Sequence, residues 1–276
     1  MTIKTIATGL MTAAEAKWLL PAVATLARRW TAHLIAVHPV EPFVPYVGFE
    51  MGIADLTGPM FLDWQVQETA AIKAMFDAAT GPEDFKSEWR SQAIEMIRSD
   101  EFLVDMMRPA DLVVLGQCDP KAAPRDQRRL QEQVIRQSGR PVLLIPHGQT
   151  EVRLARHLLV GWSNTRESAR ATHDALALAE PGAVIDILFV GNANANMVLR
   201  EDLAAALDRL GFKPNLINRA PAAHSVGDAL MAAALEQGAD MIVSGAFGHS
   251  RAYDFVIGAV TSDLLDKVKV PLLLSK

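Results

Sequence analysis

Ala110-Asp111-Leu112-Val113-Val114-Leu115-Gly116 recurs, with Ser244 in the place of Leu115, as Ala239-Asp240-Met241-Ile242-Val243-Ser244-Gly245. Each copy opens on Ala-Asp, runs through successive apolar positions and closes on glycine. A short run of this kind is a strand covered on both faces. A helix-like stretch after each glycine leads to a second matched run, Arg140-Pro141-Val142-Leu143-Leu144-Ile145 and Val270-Pro271-Leu272-Leu273-Leu274. Two runs repeated in the same order at nearly the same spacing mark an internal duplication. The polar stretch Pro146-His147-Gly148-Gln149-Thr150-Glu151 parts the copies, so modules are expected over residues 1–147 and 151–276.

Outward from these runs, each half alternates strands and helices. In the first, residues 5–8 read as a strand and Thr12-Ala13-Ala14-Glu15 as a capping box. Ala16, Leu19, Leu20, Val23, Leu26, Ala27 and Trp30 then share one helix face. Residues 33–37 and 85–90 are further strands, with a helix over 61–78 inside the Met-rich, aromatic stretch 43–79. In the second half, residues 157–161 and 184–190 are strands. Ala169, Thr172, Leu176 and Ala179 share a helix face, and Leu199, Leu203, Ala206, Leu207 and Leu210 form a stripe closed by Gly211. Ser225-Val226-Gly227-Asp228 opens a helix with Val226, Leu230, Ala233 and Ala234 inward. This alternation predicts an α/β fold of two tandem doubly wound, Rossmann-like modules, each a parallel sheet with right-handed crossovers.

Composition narrows the function. Of 276 residues 50% are hydrophobic and 21% charged, enough apolar material for real cores. A net charge of −5 argues against a protein that coats nucleic acid. Cys118 is the lone cysteine, so neither an internal disulfide nor a cysteine-based zinc site is expected. The opening Met1-Thr2-Ile3-Lys4-Thr5 shows no signal-peptide core, and no apolar run approaches the roughly 20 residues of a membrane span. Cytoplasm is the expected compartment.

Ligands of an open α/β sheet bind beyond the carboxyl ends of its strands, where the strand order reverses. One turn has the chemistry for this, Gly245-Ala246-Phe247-Gly248-His249-Ser250-Arg251, followed after six residues by Gly258-Ala259-Val260-Thr261. Glycines let backbone N–H groups approach an anion, and the helix opening near Gly258, with Thr261, Leu264, Leu265 and Val268 inward, offers a positive dipole end. Each such interaction is worth about 0.3–1 kcal/mol at exposed sites. His249 and Arg251 add positive charge. The spacing is neither G-x-G-x-x-G nor G-x-x-x-x-G-K-[ST].

Gly245-x-x-Gly248, nine residues, then Gly258 and a small residue resembles the nucleotide-binding signature of the universal stress protein family. The wording of residues 243–251 and 258–261, and of Ser138-Gly139-Arg140-Pro141-Val142-Leu143-Leu144-Ile145-Pro146, looks like that of its tandem proteobacterial members. The resemblance implies a five-stranded sheet of order 3-2-1-4-5 in each module, with the two packed as a pseudo-dimer through their fifth strands. It places the switch between strands 1 and 4, and so adds Gly161-Trp162-Ser163-Asn164-Thr165 to the site, with Val190 at the end of the neighbouring strand. Gly245, Gly248 and Gly258 match phosphate-cradling glycines and Thr261 a hydroxyl position of the next helix. Ala259 stands where the family has Ser or Thr, a loss of about 0.5–3 kcal/mol of hydrogen bonding, and Ser163 stands where nucleotide binders place a ribose-holding aspartate. The implied cofactor is ATP, alone or with Mg²⁺, bound by a stress-linked sensor or regulator rather than an efficient enzyme. No membrane or nucleic-acid partner is implied; a homodimer and a protein partner are left open. The first half's turn, Gly116-Gln117-Cys118-Asp119-Pro120, carries an acid and a proline where phosphate would bind, and is expected not to bind it.

Other readings are weaker. Gly161-Trp162-Ser163-Asn164-Thr165 lacks the closing glycine of a nucleophile elbow, so Ser163 and Thr165 are expected to cap a helix. The seven histidines show no metal-ligand pairing and are expected mostly at surfaces or turns. Asp119 beside Cys118 raises the thiol pKa and disfavours a redox role. Met51, Met60, Phe61, Trp64, Met75 and Phe76 read as core, with a pocket for an apolar small molecule as the alternative. A module that has lost its nucleotide and binds a protein is the other alternative function.

Overall fold

The computed structural model describes residues 2–40, 54–93, 99–119, 125–192, 197–220, 225–248 and 259–276. Its ten strands are β1 (Thr5–Gly9), β2 (His33–Val40), β3 (Ser87–Ala93), β4 (Leu112–Gly116), β5 (Val142–Ile145), β6 (Ala155–Gly161), β7 (Ala179–Val190), β8 (Lys213–Arg219), β9 (Met241–Gly245) and β10 (Leu272–Ser275). They form one sheet in the order β3-β2-β1-β4-β5-β10-β9-β6-β7-β8. Each half has the order 3-2-1-4-5, the second reversed across the sheet. Every neighbouring pair is parallel except β5 and β10, which run antiparallel with Leu272 opposite Leu144, Leu273 opposite Leu143 and Leu274 opposite Val142. The two sheets are therefore continuous, and the pairing covers two edges that would otherwise be open to aggregation. The remaining edges are blunted by charge and proline: Glu88 and Arg90 on β3, Lys213, Pro214 and Arg219 on β8.

Strand residues alternate between two apolar layers, as period two requires. Leu112, Val114, Leu143, Val160, Val243 and Leu273 face one layer, built with α1 (Ala13–Trp30), α2 (Ala54–Thr80), α5 (Arg166–Ala175) and α6 (Met197–Arg209). Val113, Leu144, Leu159, Ile242 and Leu272 face the other, built with α3 (Ser99–Met107), α4 (Arg125–Gln137), α7 (Val226–Gln237) and α8 (Ala259–Lys267). Among the described residues no helix is long and apolar enough to cross a membrane.

Most helix starts follow their local chemistry. Thr12 is extended and its hydroxyl accepts the Glu15 N–H at 3.1 Å, while Glu15 Oε2 accepts the Met11 N–H at 2.8 Å. Ser225 likewise accepts the Asp228 N–H at 3.1 Å. Four apolar faces differ from the pattern reading. Helix α5 ends at Ala175 and passes through a 3-10 turn, because Ala179 already belongs to β7 and pairs with Ala155. Its buried face is Ser168, Ala171, Thr172 and Ala175 rather than the set through Ala169. In α6 Arg200 replaces Leu199 inward; its guanidinium lies over the Phe189 ring at 4.9 Å and donates to Asn218 Oδ1. Helix α7 turns Gly227, not Val226, inward, since a Cβ there would stand 2.7 Å from Asp263 Cβ. In α2, Met60 and Trp64 are exposed, whereas Ile72 and Phe76 are core. Met51 and the side chain of Phe61 lie outside the described residues.

The β5–β10 seam makes both layers continuous, so a cavity there is felt on both sides. Leu273→Ala is expected to cost about 2–5 kcal/mol in urea unfolding. Hydrogen exchange should show the amides of β4 and β9 losing protection together; loss confined to β9 would mean that the halves unfold separately.

Candidate functional site

Strand β6 lies between β9 and β7, with Gly161 beside Ser244 and Leu188. The chain leaves β6 for α5 on one face and β9 for α8 on the other, so the carboxyl ends of β6 and β9 are where an open sheet of this kind places a ligand crevice. Gly245 closes β9. A Cβ at Gly245 would stand 2.6 Å from the Ser168 backbone nitrogen and 2.8 Å from the Glu167 carbonyl carbon, so only glycine lets the first turn of α5 pack so closely. A Cβ at Gly248 would lie 3.0 Å from Glu167 Oε2 and 3.3 Å from Thr165 Oγ1. The glycine turn and the N-terminus of α5 are thus one corner.

The other expected site residues divide. Thr165 caps α5, its Oγ1 accepting the Ser168 N–H at 3.2 Å and lying 3.2 Å from Ser163 Oγ. The Ser163 N–H donates to Ser168 Oγ at 3.1 Å, so Ser163 belongs to a capping network at the crevice mouth. Thr261 is buried and its Oγ1 accepts the Phe247 N–H at 3.4 Å, which ties the first turn of α8 to the glycine turn. Gly161 serves packing, because a Cβ there would be 2.8 Å from Leu230 Cδ2. Val190 is half-buried at the end of β7, paired with Arg219. Helix α8 begins at Ala259; His249, Arg251 and Gly258 lie outside the described residues.

Glu167 is the site residue that the sequence reading missed. Burial pushes its carboxyl pKa up, but hydrogen bonds from Arg166, its own N–H and Thr165, together with the Arg166 charge, hold it below the ordinary range. Arg166 Nε donates to Glu167 Oε1 at 2.5 Å. At neutral pH a carboxylate therefore stands beside Gly248, where phosphate was expected. The sequence signal for Glu167 is generic, an acid in the first turn of a helix.

The model of the universal stress protein family matches residues 155–276. The second half of the chain belongs to this family. Over nearly the whole chain the fold is similar to that of a universal stress protein from Archaeoglobus fulgidus, 15% identical, with 98% of this chain and 96% of that one covered and a TM-score of 0.68. It is also similar to a functionally unknown protein from Pseudomonas aeruginosa PAO1, 13% identical, covering 99% and 92% of the two chains with a TM-score of 0.58. At these identities the likeness is one of fold. No match is found among curated proteins.

The corresponding corner of the first half lies in the same strand order but is filled by side chains. A Cβ at Gly116 would meet Trp18 Cη2 at 2.6 Å and Glu15 Oε1 at 2.8 Å. Gln127 Nε2 donates to Glu15 Oε1 at 3.1 Å, and Gln131 Nε2 donates to the Gly116 carbonyl. The space left, lined by Gly9, Met11, Glu15, Gln127 and Gln131 among others, is about 10 Å³, room for one water at most. Burial pushes the Cys118 thiol up to about 12, aided by the Glu15 charge. The neighbour that matters is thus Glu15 rather than Asp119, which turns toward His147 at 4.0 Å.

Two histidines depart from the surface expectation. His38 is buried, with Nδ1 2.7 Å from the Leu10 carbonyl and Nε2 3.1 Å from Thr69 Oγ1, and burial lowers its pKa. Nε2 of His157 lies 2.7 Å from the buried Asp186 carboxylate, which also accepts from Asn215 Nδ2 at 3.0 Å. Both arrangements are structural clasps along the strands. Among the described residues no three His, Cys, Asp or Glu side chains form a metal site.

Burial raises the Glu15 pKa from 4.5 to about 7, against hydrogen bonds from Met11, Gln127 and Thr12 that lower it. Between those two values the folded chain holds a proton that the unfolded chain has lost. Stability therefore falls as pH rises through this window, by roughly 3 kcal/mol. Glu15→Gln is expected to flatten that slope and raise the urea midpoint at pH 8. If Glu15→Gln instead keeps the wild-type slope between about pH 5 and 7.5, the dependence belongs to another group.

Proposed function

We propose that the second half binds an adenine nucleotide, ATP with Mg²⁺, in the crevice between β6 and β9, as a cytoplasmic stress-linked sensor or regulator. The observation that carries this reading is the meeting of Gly245 and Gly248 with the first turn of α5, and of Phe247 between them with Thr261 of α8, at the strand-order switch. Two helix N-termini face the same corner, and their dipoles favour an anion there. The backbone at Gly245 and Gly248 would hold phosphate, and Ser163 at the crevice mouth would take the ribose.

Glu167 sets the terms of binding. A carboxylate beside Gly248 repels a bare polyphosphate, and Ala259 offers no hydroxyl to offset it. A divalent cation between carboxylate and phosphates converts that repulsion into attraction, which is why the ligand proposed is the magnesium complex. Efficient phosphoryl transfer needs a positioned general base. Glu167, held below the ordinary carboxylate range, is a weak one, so turnover is expected to be slow at most.

Thermal melting with ATP and Mg²⁺ tests the reading. A hundredfold excess over Kd should stabilise the chain by about 2.7 kcal/mol, and Gly248→Glu should abolish the shift. No shift up to millimolar ATP would overturn the proposal in favour of a nucleotide-free interaction module. By calorimetric titration Glu167→Gln should bind ATP nearly as well in EDTA as with Mg²⁺, whereas the wild type should bind markedly more weakly in EDTA. An equal response of both proteins to EDTA would remove Glu167 from the site.

A further inference from the structure

The first half, its own corner filled, is packed against the corner of the second. Helix α4 lies in the same layer as α8, and near its C-terminus the Arg136 guanidinium carbon sits 3.7 Å from the centroid of the Phe247 ring. Phe247 stands between the two glycines of the turn with φ of +60°, a left-handed conformation that a bulky L-residue adopts only when its surroundings impose it. Its ring is buried in the layer that holds Val134 and Ile135 of α4 and Leu264 and Leu265 of α8. Its N–H is taken by Thr261 Oγ1.

The first half also grips the other end of α8. Arg128 donates to Asp266 Oδ1 at 2.5 Å, and Gln117 Nε2 donates to the Asp266 carbonyl at 3.0 Å. Cations and donors at a helix C-terminus satisfy its last carbonyls and complement its dipole. The helix whose start forms the nucleotide corner is thus clamped at its end by the other half.

We propose that Arg136 is a positioning residue of the nucleotide site: by holding the Phe247 ring it keeps the turn left-handed, and with it the Gly245–Gly248 backbone open to phosphate. The inference rests on the nucleotide reading above and adds that the site needs both halves of the chain. A guanidinium stacks its plane on an aromatic face, which an ammonium cannot do, so Arg136→Lys should recover only part of the effect.

Titration calorimetry of the full chain with ATP and Mg²⁺ decides it. Arg136→Ala should weaken binding about tenfold, and Arg136→Lys by less. Arg129→Ala, which removes a contact of the same helix to Asp100 within the first half, should bind as the wild type does. Without nucleotide, the amides of residues 246–248 should exchange faster in Arg136→Ala than in Arg129→Ala. If the wild type binds and Arg136→Ala binds equally well, the proposal falls and the nucleotide reading stands. Equal weakening by Arg129→Ala also overturns it, since the effect would then be general loosening of α4. A wild type that binds no ATP overturns both.

Discussion

The antiparallel pairing of β5 with β10 is the constraint from which the rest of the architecture follows. Three residue pairs, Leu272 with Leu144, Leu273 with Leu143 and Leu274 with Val142, turn two sheets into one. Because the pair is antiparallel, the second half is rotated about the seam relative to the first. That rotation brings α4 and α8 together in one layer, and it lays Arg128 and Gln117 on Asp266 at the end of α8. A parallel pairing lacks that two-fold relation and would not have placed the fourth helices side by side. The seam also removes two open edges without the charge or proline that the outer strands β3 and β8 carry.

Within this symmetric frame the two corners diverge by a few side chains. In the first half a carboxylate and an indole, Glu15 and Trp18, stand on the inner face of α1 and close over Gly116, and glutamines bridge what remains. In the second half the corresponding helix α5 turns small residues, Ser168 and Ala171, toward the sheet. The acid there, Glu167, sits one residue earlier and leans on Gly248. Shifting the carboxylate by one helical position changes its state: buried Glu15 is pushed up to about 7, while Glu167, bonded to Arg166, is held below the ordinary range. One corner is neutralised and plugged. The other keeps its carboxylate ionised and paired with Arg166.

The fold was legible because it is written in local periodicities. Runs such as residues 112–115 and 241–244 can be covered on both faces only in a layered sheet, and Thr12 and Ser225 announce their helices by capping. The strand order and the join through the fifth strands came from family resemblance, since pairing partners leave no trace in spacing. Apolar counting failed where a buried polar residue is met by a specific partner. Arg200 points inward because Phe189 and Asn218 receive it, which a stripe of leucines including Leu199 conceals. Glu167 was invisible for a different reason: its contact with Gly248 spans two crossovers, and nothing local distinguishes it from any first-turn acid.

Why a filled module should remain joined to an open one has a physical answer in the turn itself. A left-handed Phe247 is unfavourable on its own, and among the described residues of the second half it is held by Thr261 and the apolar core. The first half supplies Arg136 across the face of the ring, and Val134 and Ile135 to the same apolar layer. A loop that must stay open without ligand is better fixed by a rigid neighbour than by a flexible one, because ordering completed during folding is not repeated at binding.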